Sequence, residues 1–291
     1  MSTWSEALFF GSTAMSWHLA SIAAFLVCTC TSVLANAQCC QRKGHSASTT
    51  NVLTIHAHLF MLAPWGYSLW DYVHSMEVAL LIYVSLAQAN LITPSIDAWD
   101  HAQIFWITAN LVQTLWTLGF YTHRLGLATL CAAALVFACM SLAVSLGDGL
   151  EDTSYVFIAV PVWLHAGWSV TVCMQMAHML MSSADTSEGF RGAVALASPF
   201  LLVGVSSAAI TCVGLAALPA GFVTVWTLMA VHANLSERVS DLSTRVDEST
   251  DAVAAALSLI TRALSVLAGA ACAALCVLAA WRQTHTWQQY T

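Results

Sequence analysis

Asp71, His74 and Glu77 are the residues whose types and spacing best suit chemistry, recurring at i, i+3 and i+6 within one apolar run, with Trp70 one turn before His74. A carboxylate near mid-bilayer costs about 2.5–3.5 kcal/mol on insertion scales, so two in one crossing ask for a reason. One reading places all three on one helix face as a ligand- or ion-binding cluster inside a bundle, with His74 between two acids. The other starts the crossing near Met76 and leaves Asp71 and His74 at the headgroups.

Other histidines offer less. His56 and His58 form an HxH pair, which alone is a weak metal signal. His165 and His178 are thirteen residues apart, about 20 Å along a helix. That spacing could stack two haems, but each iron wants an axial partner on another helix, and no second pair repeats it. Polar residues bridging helices is the reading adopted, and no metal site is assigned. Of the ten cysteines, all but Cys39 and Cys40 lie inside apolar runs and read as small packing residues. There is no GxSxG, GxGxxG, Walker loop or HExxH, so no enzyme is expected.

The elements that must position these residues follow from composition. Of 291 residues, 59% are hydrophobic and 8% charged, where soluble proteins carry about 25% charged. With 15 acidic and 8 basic residues there is no basic surface for nucleic acid. The class expected is an all-α polytopic membrane bundle. Its crossings are 16–38, 62–92, 102–122, 125–147, 155–181, 193–216, 218–235 and 252–281, each long enough for about 30 Å of hydrocarbon. With eight crossings, Arg42, Lys43, Arg124, Arg191, Arg238 and Arg245 share one side, and Arg282 stands alone opposite. That asymmetry puts both termini on the same, less positive side. Trp4, Trp17, Trp99, Trp281 and Trp287 fall near crossing ends, as an interfacial belt would. The first charged residue is Glu6 and the first Arg is Arg42, so neither a cleavable signal nor a transit peptide is expected.

The chain divides into a bundle over 1–235, an arm over 236–251, and a last crossing with its tail over 252–291. Leu235, Val239, Leu242, Val246 and Val253 form an apolar stripe at heptad-like spacing, opposite Glu237, Arg238, Asp241, Arg245, Asp247 and Glu248. The stripe fits either an amphipathic hairpin on the membrane surface or a short coiled-coil-like arm docking on a partner, with a turn near Ser249-Thr250. Ala268, Cys272, Cys276 and Ala280 make a small-xxx-small strip suited to close helix packing. Partners expected are membrane lipids and other membrane subunits, the latter through residues 236–281.

Three aromatic motifs carry a resemblance: Pro64-Trp65-Gly66-Tyr67-Ser68-Leu69-Trp70, then Asn110 with Gln113 and Trp116, then Pro161-Val162-Trp163-Leu164-His165-Ala166-Gly167-Trp168. Together they resemble the tryptophan-rich sensory protein (translocator protein, peripheral benzodiazepine receptor) family in its longer form, over about residues 16–235. The resemblance implies a five-helix core around a pocket for tetrapyrroles, sterols and synthetic ligands. Matched by position, that pocket would use Trp70, Asn110, Trp116, Trp163, Gly167 and Trp168. His74 and His165 stand where the family usually has Tyr, and Met176–His178 replaces an Asn.

The leading expectation is a non-enzymatic accessory subunit of an organellar energy-converting membrane complex, in a mitochondrial or alternatively a plastid membrane. The second is a free-standing tetrapyrrole- or sterol-binding receptor or carrier. The third is an ion-coupled transporter using Asp71, His74 and Glu77. No cofactor is required by any of these, bound lipids are expected, and a tetrapyrrole is the cofactor-like ligand the second would hold.

Overall fold

The computed structural model describes residues 3–42, 59–92, 97–147, 152–184, 186–242 and 248–290. Every regular element among them is helical. The long helices are α1 (Thr3–Arg42), α2 (Ser68–Gln88), α3 (Asp97–Tyr121), α4 (Leu125–Ser145), α5 (Val160–Ser183), α6 (Glu188–Val213), α7 (Leu218–Leu242) and α8 (Glu248–Tyr290). Each coincides with one oily run, because a run of that length can satisfy its backbone groups in lipid only as a helix. Five stretches are long and apolar enough to cross a membrane: Met15–Ala35, Leu125–Ser145, Tyr155–Ser183, Glu188–Glu237 and Ala252–Ala271. The 50-residue stretch Glu188–Glu237 folds as two helices, α6 and α7. Gly214 closes α6 at a φ of 84° that side chains disfavour. α2 and α3 fall outside these five; they carry the acids Asp71, Glu77, Asp97 and Asp100.

Several boundaries differ from the sequence reading. The crossing placed at 62–92 opens with non-helical backbone and one 3-10 turn, Pro64–Tyr67, before α2 begins. Pro64 favours that start, since it lacks the N–H that a helix interior needs. α5 is preceded by a π-helical turn, Tyr155–Ala159. α7 continues to Leu242, and α8 already includes Ser249 and Thr250, so the turn expected at that pair is not there. The rest of the arm, and His56 and His58, lie outside the described residues, as do the side chains of Cys272, Cys276 and Ala280.

α5 is the hub. Some 78% of its apolar window is buried within the protein, against 17–44% for the other stretches. It packs on α2, α4, α6 and α7, while α3 packs on α1 and α4, and α8 on α6 and α7. Small polar groups tie the helices together. Thr171 bonds Thr227, His178 bonds Ser198, His18 bonds Ser85, and Tyr83 bonds Ser154, at 2.9–3.1 Å. Such bonds are worth about 0.6 kcal/mol each inside membranes, so close backbone approach carries much of the packing. A Cβ on Gly66 would meet the Ala230 Cβ at 2.6 Å, and one on Gly167 would meet the Ala220 Cα at 3.0 Å. Both glycines therefore let α7 approach its neighbours. Two hydrogen bonds fix the same junction: Ala63 N donates to Ala230 O at 2.9 Å, and Trp226 Nε1 to Gly66 O at 3.0 Å. Trp99, expected in the interfacial belt, is fully buried and stacks edge-on against Trp106 at 5.5 Å. Trp17 is half exposed.

Candidate functional site

α2 and α5 meet through a carboxylate–imidazole contact. His165 Nδ1 lies 2.6 Å from Glu77 Oε1, and both side chains are at most 2% exposed. The contact is an ion pair by distance rather than an aligned hydrogen bond, since neither atom has a partner in hydrogen-bond geometry. A carboxylate and an imidazole sharing one proton carry no net charge, which lessens the cost of burial. Cys139 of α4 is the sulfur neighbour of this imidazole, and Cys28 of α1 lies within electrostatic range of Glu77. Four helices thus converge on one polar point.

Beside it sits an aromatic cluster centred on Trp70. Its ring lies 4.7 Å from His74, 5.8 Å from Trp168, 6.0 Å from Trp116 and 6.1 Å from His165. These are the separations at which edge-to-face rings attract. Phe120 extends the cluster by stacking on Trp116. His74 Nδ1 donates to the Trp70 carbonyl at 2.9 Å, and its Nε2 lies 3.4 Å from Gln113 Nε2. Trp70, His74 and Trp116 are half-buried and Trp168 is buried, so the cluster runs from the bundle surface into the interior.

Among the described residues, the buried polar atoms of this cluster without a partner include two donors, Trp116 Nε1 and Trp168 Nε1, an acceptor, Gln113 Oε1, and His165 Nε2. Native interiors satisfy nearly all such groups, and each orphan costs about 1–3 kcal/mol. Two donors and one acceptor around a half-open aromatic centre suit a flat molecule carrying both acceptors and an N–H.

The residues singled out from sequence therefore divide. Trp70, His74, Trp116, His165 and Trp168 come together, with Glu77 behind His165. Asp71, His74 and Glu77 do not share a face, which corrects that expectation: at 100° per residue, positions i and i+6 point 120° apart. Asp71 is exposed, His74 faces α3, and Glu77 faces α5. Asn110 turns back on its own helix, its Nδ2 donating to Trp106 O at 3.0 Å. Trp163 is buried in a second core with Trp106, Leu135 and Leu142. Gly167 serves the α5–α7 contact rather than the aromatic centre. His178, thirteen residues from His165, bonds Ser198 and stacks on Phe60 at 5.3 Å. Among the described residues no group of three or more His, Cys, Asp or Glu could hold a metal ion. Gln113 and Cys139 were not foreseen as site residues; the only signal was that Gln113 lies one turn before Trp116.

The family model for TSPO-like proteins matches residues 18–277. The chain belongs to the TSPO-like protein family. The match covers the aromatic motifs and runs past residue 235 to take in α8 as far as residue 277, farther than the motifs alone reached. As a TSPO-like protein, it is an integral membrane protein built as an all-α bundle. No curated protein and no solved structure matches the chain.

Proposed function

We propose that this TSPO-like protein binds a flat, acceptor-bearing amphiphile of the tetrapyrrole or sterol class at the Trp70 centre, without catalysing its conversion. The observation that carries this reading is the set of unpartnered atoms, Trp116 Nε1, Trp168 Nε1 and Gln113 Oε1, around rings that reach the bundle surface. A ligand in contact with Trp70 and Trp116 would pair those atoms and cover aromatic area now turned to lipid. A tetrapyrrole satisfies both requirements, since its carboxylates accept and its pyrrole N–H groups donate; a sterol offers one hydroxyl. The test is titration of the detergent-purified full chain with protoporphyrin, read by tryptophan fluorescence. Saturable quenching supports the reading, and non-saturable quenching equal to that of free tryptophan overturns it.

A second role has its own support. α8 spans 43 residues, about 64 Å at 1.5 Å per residue, roughly twice the hydrocarbon thickness. A helix of that reach, joined to α7 through a charged connection, suits docking as an accessory subunit in an organellar membrane complex, mitochondrial in the first instance. Both termini would then lie on the less positive side. Migration with a larger assembly on native gels supports this role, and migration as a lone monomer or dimer counts against it.

A further inference from the structure

Arg262 lies within the apolar stretch Ala252–Ala271 of α8. Its side chain is exposed, and among the described residues no carboxylate pairs with it. It borders a groove of about 440 Å³ between α7 and α8, whose lining includes His232, Ser265, Val266, Gly269 and Trp65. The floor stays open because Gly269 has no side chain: a Cβ there would find its nearest neighbour, Val225, only at 3.8 Å. His232 is oriented from behind, with Nδ1 3.0 Å from Ser258 Oγ and 3.1 Å from the Ser258 carbonyl.

Depth and direction decide what such a cation can hold. His232 is five residues from the end of the apolar stretch at Glu237, and Ser258 is six residues from its start at Ala252. At 1.5 Å per residue both lie roughly 8–9 Å inside the apolar boundary, and Arg262 is one turn deeper, about 15 Å from Ala252 and at the middle of the stretch. Side chains of a helix lean toward its N-terminus, so Arg262 leans back toward His232 and the interface at the Ala252 end. A lone guanidinium in that position is stable when it snorkels to an anion. Beyond it, toward the far end of the stretch, Val266, Gly269 and Ala270 continue the groove as an apolar channel.

We propose that this groove is a binding site for an anionic phospholipid of the adjacent leaflet. Its phosphate is held by Arg262, with His232 Nε2 beside it, and one acyl chain runs along Val266 and Gly269. The charge complements the unpaired cation, and the channel matches an acyl chain rather than a folded polypeptide. This groove shares no lining residue with the Trp70 centre and stands independently of ligand binding there.

The test is native mass spectrometry of the delipidated full chain, titrated with anionic and zwitterionic phospholipids of identical acyl chains. Wild type should retain the anionic lipid about fivefold or more over the zwitterionic one, as expected for one cation that reaches a headgroup phosphate by snorkelling. Arg262→Gln should abolish the preference, and Arg262→Lys should keep part of it. Gly269→Leu should displace the lipid with all charges intact, a control that does not depend on the Arg262 variants folding well. Equal retention of both lipids by wild type, or an anionic preference that survives Arg262→Gln, overturns the proposal. So does a photo-crosslinker at position 262 that captures a partner polypeptide and no lipid.

Discussion

Glu77 and His165, 88 residues apart in sequence, meet as a buried carboxylate–imidazole pair at 2.6 Å. The pair joins α2 to the hub helix α5 next to the Trp70 ring, so the polar centre and the aromatic centre are one structural unit. Removing one partner strands the other in an apolar interior, which costs about 3–5 kcal/mol for buried pairs. Glu77→Ala is therefore expected to lower the unfolding temperature in detergent clearly. Glu77→Leu combined with His165→Leu should lie much closer to wild type, because nothing is then left uncompensated. Equal losses in the single and double variants would refute the pairing.

Asp71 provides the contrast. It is exposed and meets neither His74 nor Glu77. Asp71→Asn should leave both thermal stability and any ion flux in proteoliposomes unchanged. A lost flux would revive the transporter alternative.

The glycines of the aromatic motifs make a steric prediction. Gly66→Ala and Gly167→Ala each drive a methyl group into α7, at 2.6 Å from Ala230 and 3.0 Å from Ala220 respectively. Overpacking of this kind costs about 1–3 kcal/mol. Gly204→Ala meets open space and serves as the control. Thermal unfolding of the three variants checks the order, with Gly66→Ala lowest.

Much of the fold was legible because lipid imposes a simple rule. Each oily run of sufficient length has to be helical, and the eight runs became α1 to α8. Boundaries slipped where local chemistry intervened, as at Pro64, where α2 starts six residues late behind a 3-10 turn. The site was legible in part. Trp70 and His74 lie one turn apart, so their contact follows from helical spacing, and the motifs pointed to Trp116 and Trp168. The Glu77–His165 pair was hidden, because the rotation of α2 against α5 is set by packing and not by either helix alone. Helical geometry within α2 itself separates Asp71 from Glu77, while packing gives Gly167 to α7 rather than to the aromatic centre. Trp99 looked interfacial by position, yet it is buried against Trp106, since a ring near a helix end can turn inward as readily as outward.

Trp168 offers a further check on the unpaired donors. Trp168→Phe keeps most of the ring area and removes the Nε1 donor, which has no partner among the described residues. Without ligand the variant should be at least as stable as wild type, because the orphaned group is gone. With protoporphyrin it should gain less thermal stabilisation than wild type, as read by melting curves with and without ligand.

The central claim is that the rings around Trp70 form a ligand site, and the most direct measurement compares two tryptophan variants. Protoporphyrin affinity is measured by absorbance titration for wild type, Trp70→Leu and Trp65→Leu, the last altering a ring that packs on Trp226 outside the cluster. The account predicts that Trp70→Leu raises the Kd by about tenfold, a loss of about 1.4 kcal/mol, while Trp65→Leu stays near wild type. Equal affinity in all three proteins would contradict it.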